Sequence, residues 1–186
     1  MMSSELAAIL QRMEGTERME GTERKEGTER KESAKEIVEA FPTKYKNKNK
    51  YFIKENVSIH EYNMHVLVYH LRLVRVPHPI YYDRVRKCMV MEKIHGTNVS
   101  DTFGDSASDV PIHVREEIQR MIRILTAHQI QYVDITGYNF VIDARDEDRI
   151  WLVDFEHTYE SEYVPPCVET FCLTPVEDME WNIEFK

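Results

Sequence analysis

The sequence predicts a mixed α+β fold. Helical periodicity spans residues 59–71 and 114–128, and short β-prone runs occupy 51–54, 87–93, 139–142 and 150–153. A length of 186 residues suits one domain plus a tail, and a hydrophobic fraction of 42% permits a packed core.

Residues 1–36 read as a low-complexity tail. Met13-Glu-Gly-Thr-Glu-Arg18 recurs at Met19–Arg24 and, with Lys first, at Lys25–Arg30, and Lys31–Glu36 is a decayed copy. A six-residue period fits neither a heptad nor a solenoid unit. Glu14 and Arg18 form an i, i+4 pair of a kind that contributes about 0.3–0.5 kcal/mol, whereas each repeat glycine costs about 1 kcal/mol relative to Ala. The segment is expected to be a frayed helix or a disordered tail, with Leu6, Ile9 and Leu10 as a short apolar patch. The basic run Lys44–Lys50 is interleaved with Asn47 and Asn49 and reads as a solvated loop.

Tyr51-Phe-Ile-Lys54 is a strand ending in lysine. Ile59–Leu71 follows as a helix with Glu61 near its start. Val76-Pro77-His78-Pro79 breaks it and leads to a further strand. Lys87–Lys93 is an apolar strand carrying Glu92 at its end, and Gly96 opens a polar linker. Val114–His128 places Ile118, Met121, Ile122 and Leu125 at helical spacing. Asn139–Ile142 and Ile150–Val153 form two strands, with the acidic stretch Asp143–Arg149 as the turn between them. Beyond Asp154 the chain is acidic and broken by Pro165, Pro166 and Pro175. Phe171, Leu173, Trp181, Ile183 and Phe185 are too apolar for disorder, so an irregular packed arm is expected, with one short helix near Glu177–Trp181.

The sharpest chemistry lies in Asp134-Ile-Thr-Gly-Tyr-Asn139 and Val153-Asp154-Phe155-Glu156. An acid, an amide five residues on and a second acid after a hairpin supply a proton acceptor and two hard oxygen ligands. That order is the one in which protein kinases present a catalytic Asp, a metal-binding Asn and a metal-binding Asp.

With these residues in place, the chain resembles the protein-kinase-like superfamily over about residues 45–160. It is similar to the short, divergent kinase-like proteins of large DNA viruses, and in its economy to the small atypical kinases of the Rio and Bud32 type. The resemblance implies a minimal two-lobe fold, residues 37–95 as the N-lobe and 96–186 as a truncated C-lobe with an acidic arm. It implies ATP and Mg²⁺ as cofactors and a protein Ser/Thr hydroxyl as acceptor. Asp134 would be the catalytic base, and Asn139 and Asp154 the metal ligands. Lys54 would hold phosphates, Glu61 would hold Lys54, and Glu92 would lie at the adenine-binding strand.

The departures are specific. No Gly-rich loop precedes Lys54, since Gly15, Gly21 and Gly27 belong to the repeat. Thr136 stands where Ser/Thr kinases usually carry Lys, Tyr132-Val133 replaces His-Arg, and Glu156 replaces the Gly of Asp-Phe-Gly. A nucleotide-binding pseudokinase or structural scaffold is the alternative. A rival motif, Glu92-Lys93-Ile-His-Gly-Thr-Asn98, resembles the nucleotide-accepting lysine motif of RNA ligases, with Lys93 as nucleophile. That family needs paired lysines downstream, and after Lys93 the only lysine is Lys186.

Charge is uneven: residues 1–100 carry net +4 and residues 101–186 net −13. The acidic half disfavours nucleic acid and favours a basic protein substrate or partner. No apolar run approaches a membrane span, and no signal peptide is evident, so a cytoplasmic location is expected, in the host or a virion if viral. Cys88, Cys167 and Cys172 read as free thiols in a reducing compartment, and the scattered histidines as helix-surface polar residues.

Overall fold

The computed structural model describes residues 47, 49–182 and 184. The hexapeptide repeat, the Leu6–Leu10 patch, Ile183, Phe185 and most of the basic run fall outside the described residues. What is described belongs to one compact unit, Pro42–Lys186.

The first lobe is a three-stranded antiparallel sheet with one helix. Strands β1 (Tyr51–Lys54), β2 (Pro79–Asp83) and β3 (Cys88–Glu92) lie in the order β1-β3-β2. Helix α1 (Ile59–Leu71) has the bounds its sequence predicts. It starts there because Ser58 is an N-cap whose Oγ accepts the Glu61 N–H at 3.0 Å. Arg72 ends it in the left-handed conformation, at φ 53°. Met64 through Val68 are all buried, so this helix is enclosed on more than one face. Its sheet side is anchored by Val57, Met89 and Met91, against which Tyr62 and Tyr82 pack. Those two rings stack at 4.7 Å, and the Tyr82 hydroxyl donates to the Val57 carbonyl at 2.8 Å.

Residues 93–95 lead into the second lobe. Gly96–Asn98 is strand β4, which pairs with β6 (Phe140–Asp143), and β6 pairs with β7 (Asp146–Leu152). The predicted linker is thus confined to Lys93–His95, because Thr97 and Asn98 find ladder partners in Ile142 and Val141. Gly96 is required there: a Cβ would overlap the Ile142 carbonyl oxygen. The predicted turn at Asp143–Arg149 shrinks to Ala144–Arg145, since Asp143 accepts the backbone N–H and the guanidinium of Arg145, each at 3.0 Å.

Helices α2 (Val99–Phe103) and α3 (Ile112–Ala127) follow β4. Helix α3 packs on β5 (Ile130–Tyr132) and β7 and buries the predicted stripe Ile118, Met121, Ile122 and Leu125, which with Ile130, Ile150 and Leu152 is below 2% exposed. After α3, β5 pairs with β8 (Thr158–Glu160) as a small two-stranded sheet. The arm is more regular than its composition suggests. Helix α4 (Pro166–Leu173) begins with Pro at its first position and ends before Pro175. The expected helix near Glu177–Trp181 is only a 3-10 turn at Val176–Asp178. Phe171, Met179 and Trp181 are buried against the second lobe.

The histidine expectation is corrected. His65 is 1% exposed, hydrogen-bonded through Nε2 to the Pro77 carbonyl at 2.7 Å and packed on the Phe155 ring. Its position is enclosed on both sides because α1 has no single polar face. Cys88, Cys167 and Cys172 are free thiols. No helix among the described residues is long and apolar enough to cross a membrane.

Candidate active site

A cavity of about 530 Å³ is lined by residues of both lobes. Phe52 and Lys54 come from β1, and Met91 and Glu92 from β3. Asn139, Val141, Val153 and Asp154 come from the second lobe. Lys93 and Tyr138 also line it, whereas Asp134 is not among the lining residues.

Lys54 is the centre of charge. Its Nζ lies 2.6 Å from Glu61 Oε1 and 2.8 Å from Asp154 Oδ1. Glu61 is 2% exposed, so its carboxylate depends on that ammonium for compensation. Burial pushes the Glu61 carboxyl up, and the Lys54 ammonium opposes the shift. Burial alone would lower the Lys54 pKa, but the hydrogen bonds and charges of Asp154 and Glu61 outweigh it and raise the value.

The hairpin brings Asp154 and Asn139 together. The Val153 N–H donates to the Asn139 carbonyl at 2.9 Å, and the Tyr132 hydroxyl donates to the Val153 carbonyl at 2.8 Å. Asp154 itself is left-handed, with φ 63°, a conformation Asp tolerates better than most residues. Its Oδ1 also accepts the Glu156 N–H at 3.2 Å. Phe155 turns inward to 0% exposure, between His65 at 4.9 Å and Tyr132 at 5.9 Å, ring to ring.

Asp134 begins the tight turn that delivers Asn139. Asn139 Nδ2 donates to the Asp134 carbonyl at 3.0 Å, which leaves Oδ1 as its acceptor face. Thr136 Oγ1 donates to Asp134 Oδ1 at 3.3 Å. Burial raises the Asp134 pKa, hydrogen bonds from Asn139 and Thr136 oppose it, and the Asp154 charge adds to the rise. Gly137 lies inside this turn, where a Cβ would overlap Ser100 Oγ.

The six residues singled out from sequence thus divide into groups. Lys54, Glu61 and Asp154 make one ion cluster, and Asn139 lines the same cavity. Asp134 lies beside Asn139 but behind the lining. Glu92 is exposed at the end of β3, its N–H donating to the His78 carbonyl at 2.9 Å, and it lines the same cavity. The oxygens of Asn139 and Asp154 are hard donors, and one carboxylate plus an amide is a donor set that suits Mg²⁺. Sequence reading missed His65, Gly137 and Asn182.

The RIO domain family model matches residues 16–164. The chain belongs to the RIO domain family. Its fold is accordingly a minimal kinase-like one, with mixed helix and sheet. Among solved structures it is similar to the Rio2 kinase of Chaetomium thermophilum, described as an ADP/Mg²⁺-phosphoaspartate complex. That likeness has a TM-score of 0.45 and 20% identity, and it covers 60% of this RIO chain and 33% of the Rio2 chain. No curated protein matches.

Proposed function

We propose that this RIO chain is an ATP-dependent Ser/Thr protein kinase of minimal type. The observation that carries the reading is the Lys54–Glu61–Asp154 cluster, at 2.6 and 2.8 Å, on the wall of a cavity that Asn139 also lines. Kinases need the lysine–glutamate pair made and the metal-binding Asp turned toward the phosphates. Here the pair is formed, and Phe155 is packed inward behind Asp154.

Bound Mg²⁺-ATP would supply the transferable γ-phosphoryl group. Asn139 Oδ1 and the Asp154 carboxylate would hold the metal, and Lys54 would hold phosphate oxygens once they displace Asp154 from it. Glu61 keeps Lys54 in place, and Glu92 marks the strand end along which adenine would lie. Asp134 would orient the acceptor hydroxyl and take its proton, a role that a raised pKa serves. The acidic second lobe, net −13 over residues 101–186, favours a basic protein substrate. We place the lobe boundary at residues 95 and 96.

A pseudokinase is the second reading. It is favoured by Thr136, a hydroxyl that donates to Asp134 where Ser/Thr kinases usually offer a lysine. Incubation of the full chain with γ-labelled ATP, Mg²⁺ and a basic test protein separates the two. Label that survives acid, as a phosphoester does, and that is lost in Asp154→Ala supports the kinase. Nucleotide binding without transfer supports the pseudokinase.

A further inference from the structure

We propose that Asn182, on the acidic arm, is a positioning residue for Asp134, and that the arm is a working part of the active site. The proposal rests on the reading of Asp134 as the base. The arm lies beyond the family match, which ends at residue 164.

Asn182 reaches back to the loop that carries Asp134. Its backbone N–H donates to the Ile135 carbonyl at 3.0 Å, and its Nδ2 donates to the Val133 carbonyl at 2.7 Å. Its Oδ1 accepts the Glu184 N–H at 3.2 Å, which fixes the orientation of the amide. The carbonyl of Asp134 accepts from Asn139 Nδ2 and from the Thr136 N–H, both at 3.0 Å. The two peptide planes that meet at the Asp134 Cα carry the Val133 and Asp134 carbonyls. Asn182 and the Ile135 N–H hold the first plane, and Asn139 and the Thr136 N–H hold the second. With both planes held, the two soft backbone torsions at Asp134 are fixed, and with them the origin of its side chain.

The arm is built to deliver this contact. Arg115, Gln119 and Arg123 recur every four residues on one face of α3. Arg115 Nη1 donates to the Val176 and Glu177 carbonyls at 2.7 and 3.0 Å. Gln119 Nε2 donates to the Phe171 and Thr174 carbonyls at 2.9 and 2.8 Å. Arg123 binds the Cys172 carbonyl through Nε at 2.9 Å and Nη2 at 2.6 Å. Gln119 and Arg123 satisfy carbonyls that the end of α4 leaves open, and Arg115 binds those of the 3-10 turn that follows. Trp181 is 4% exposed, stacks on Phe140 at 6.3 Å and closes over Gly137. Asn182 follows directly after that anchor.

The test uses the full chain with Asn182→Ala and Asn182→Asp. The first keeps the backbone bond to Ile135. The second keeps the size but turns a carboxylate toward the Val133 carbonyl. Amide hydrogen exchange is read at Ile135, Thr136 and Asn139 and compared with amides of α1. Exchange in the loop should accelerate about tenfold in both variants while α1 is unchanged. With γ-labelled ATP, kcat should fall about tenfold, with KM for ATP within about twofold. Unchanged exchange, equal acceleration in loop and α1, or selective exchange with an unchanged kcat would each overturn the proposal. If the wild-type chain transfers no phosphate, the kinase reading fails by itself, and the exchange comparison still decides whether Asn182 positions the loop.

Discussion

Replacing Lys54 by Met removes a cation that serves two carboxylates, Glu61 and Asp154. Glu61 would be left 2% exposed, while Asp154, at 31%, can turn to water. A lone buried charge typically costs about 3–5 kcal/mol, unless the group can take a proton. An ordinary Glu has a pKa of about 4.3, so protonating it at pH 7 costs about 3.7 kcal/mol, which caps the Glu61 contribution. Lys54→Met should therefore destabilise the fold by about 2–4 kcal/mol at pH 7. The sign with pH follows from burial, which already raises Glu61 and does so further without Lys54. A raised carboxyl pKa stabilises fully below the unfolded value and loses that contribution as pH climbs through the folded value. The deficit should thus shrink to about 1 kcal/mol or less at pH 5, at up to roughly 1.4 kcal/mol per pH unit. Urea unfolding followed by Trp151 and Trp181 fluorescence at pH 5, 6 and 7 measures it. Adding Glu61→Gln should abolish the pH dependence of the deficit. An equal deficit at pH 5 and pH 7, or no effect of Glu61→Gln, would show that the Glu61 charge does not carry the loss.

Three further outcomes are expected. His65 is held neutral by burial, with its pKa lowered to about 4. The unfolded chain takes up this proton first, so stability should fall by about 3 kcal/mol as pH drops from about 6.5 to 4. In His65→Leu the same urea series should show a shallower slope across that window, and an identical slope contradicts the assignment. Gly137→Ala should lower kcat more than it raises KM for ATP, because its Cβ meets Ser100 and Trp181 inside the turn that carries Asn139. Equal activity would show that the turn yields freely. The acid limb of kcat/KM should lie above pH 3.8, since burial raises Asp134, and Thr136→Val should move it further up by removing a hydrogen bond to the charged form. A limb that Thr136→Val leaves in place argues against Asp134 as the base.

What sequence made legible is mostly local. The bounds of α1 followed from Ser58 and the apolar run, and Lys54 and Glu61 are seven residues apart on adjoining elements. Asn139 and Asp154 are joined by a hairpin whose turn chemistry is explicit in Asp143 and Arg145. The misreadings arose where distance or enclosure decides. His65 looked like a surface residue because α1 has no polar face against which to judge it. Helix α4 was missed because its prolines read as breaks, although Pro166 sits at a helix start. The contact from Asn182 to Val133 spans 49 residues, and no spacing rule announces it. No spacing rule marks Gly137, and the packed side chains of Ser100 and Trp181 show that its missing Cβ is needed.

The central claim is transfer of the ATP γ-phosphoryl group by the Lys54–Asn139–Asp154 site. Parallel incubation of the full chain with Mg²⁺ and ATP labelled at the γ- or the α-phosphate, with Asp154→Ala alongside, tests it most directly. Acid-stable γ-label is expected on a basic test protein or on the chain itself, and none in the variant. No γ-transfer, or α-label held on the chain as an adduct of Lys93, would contradict it.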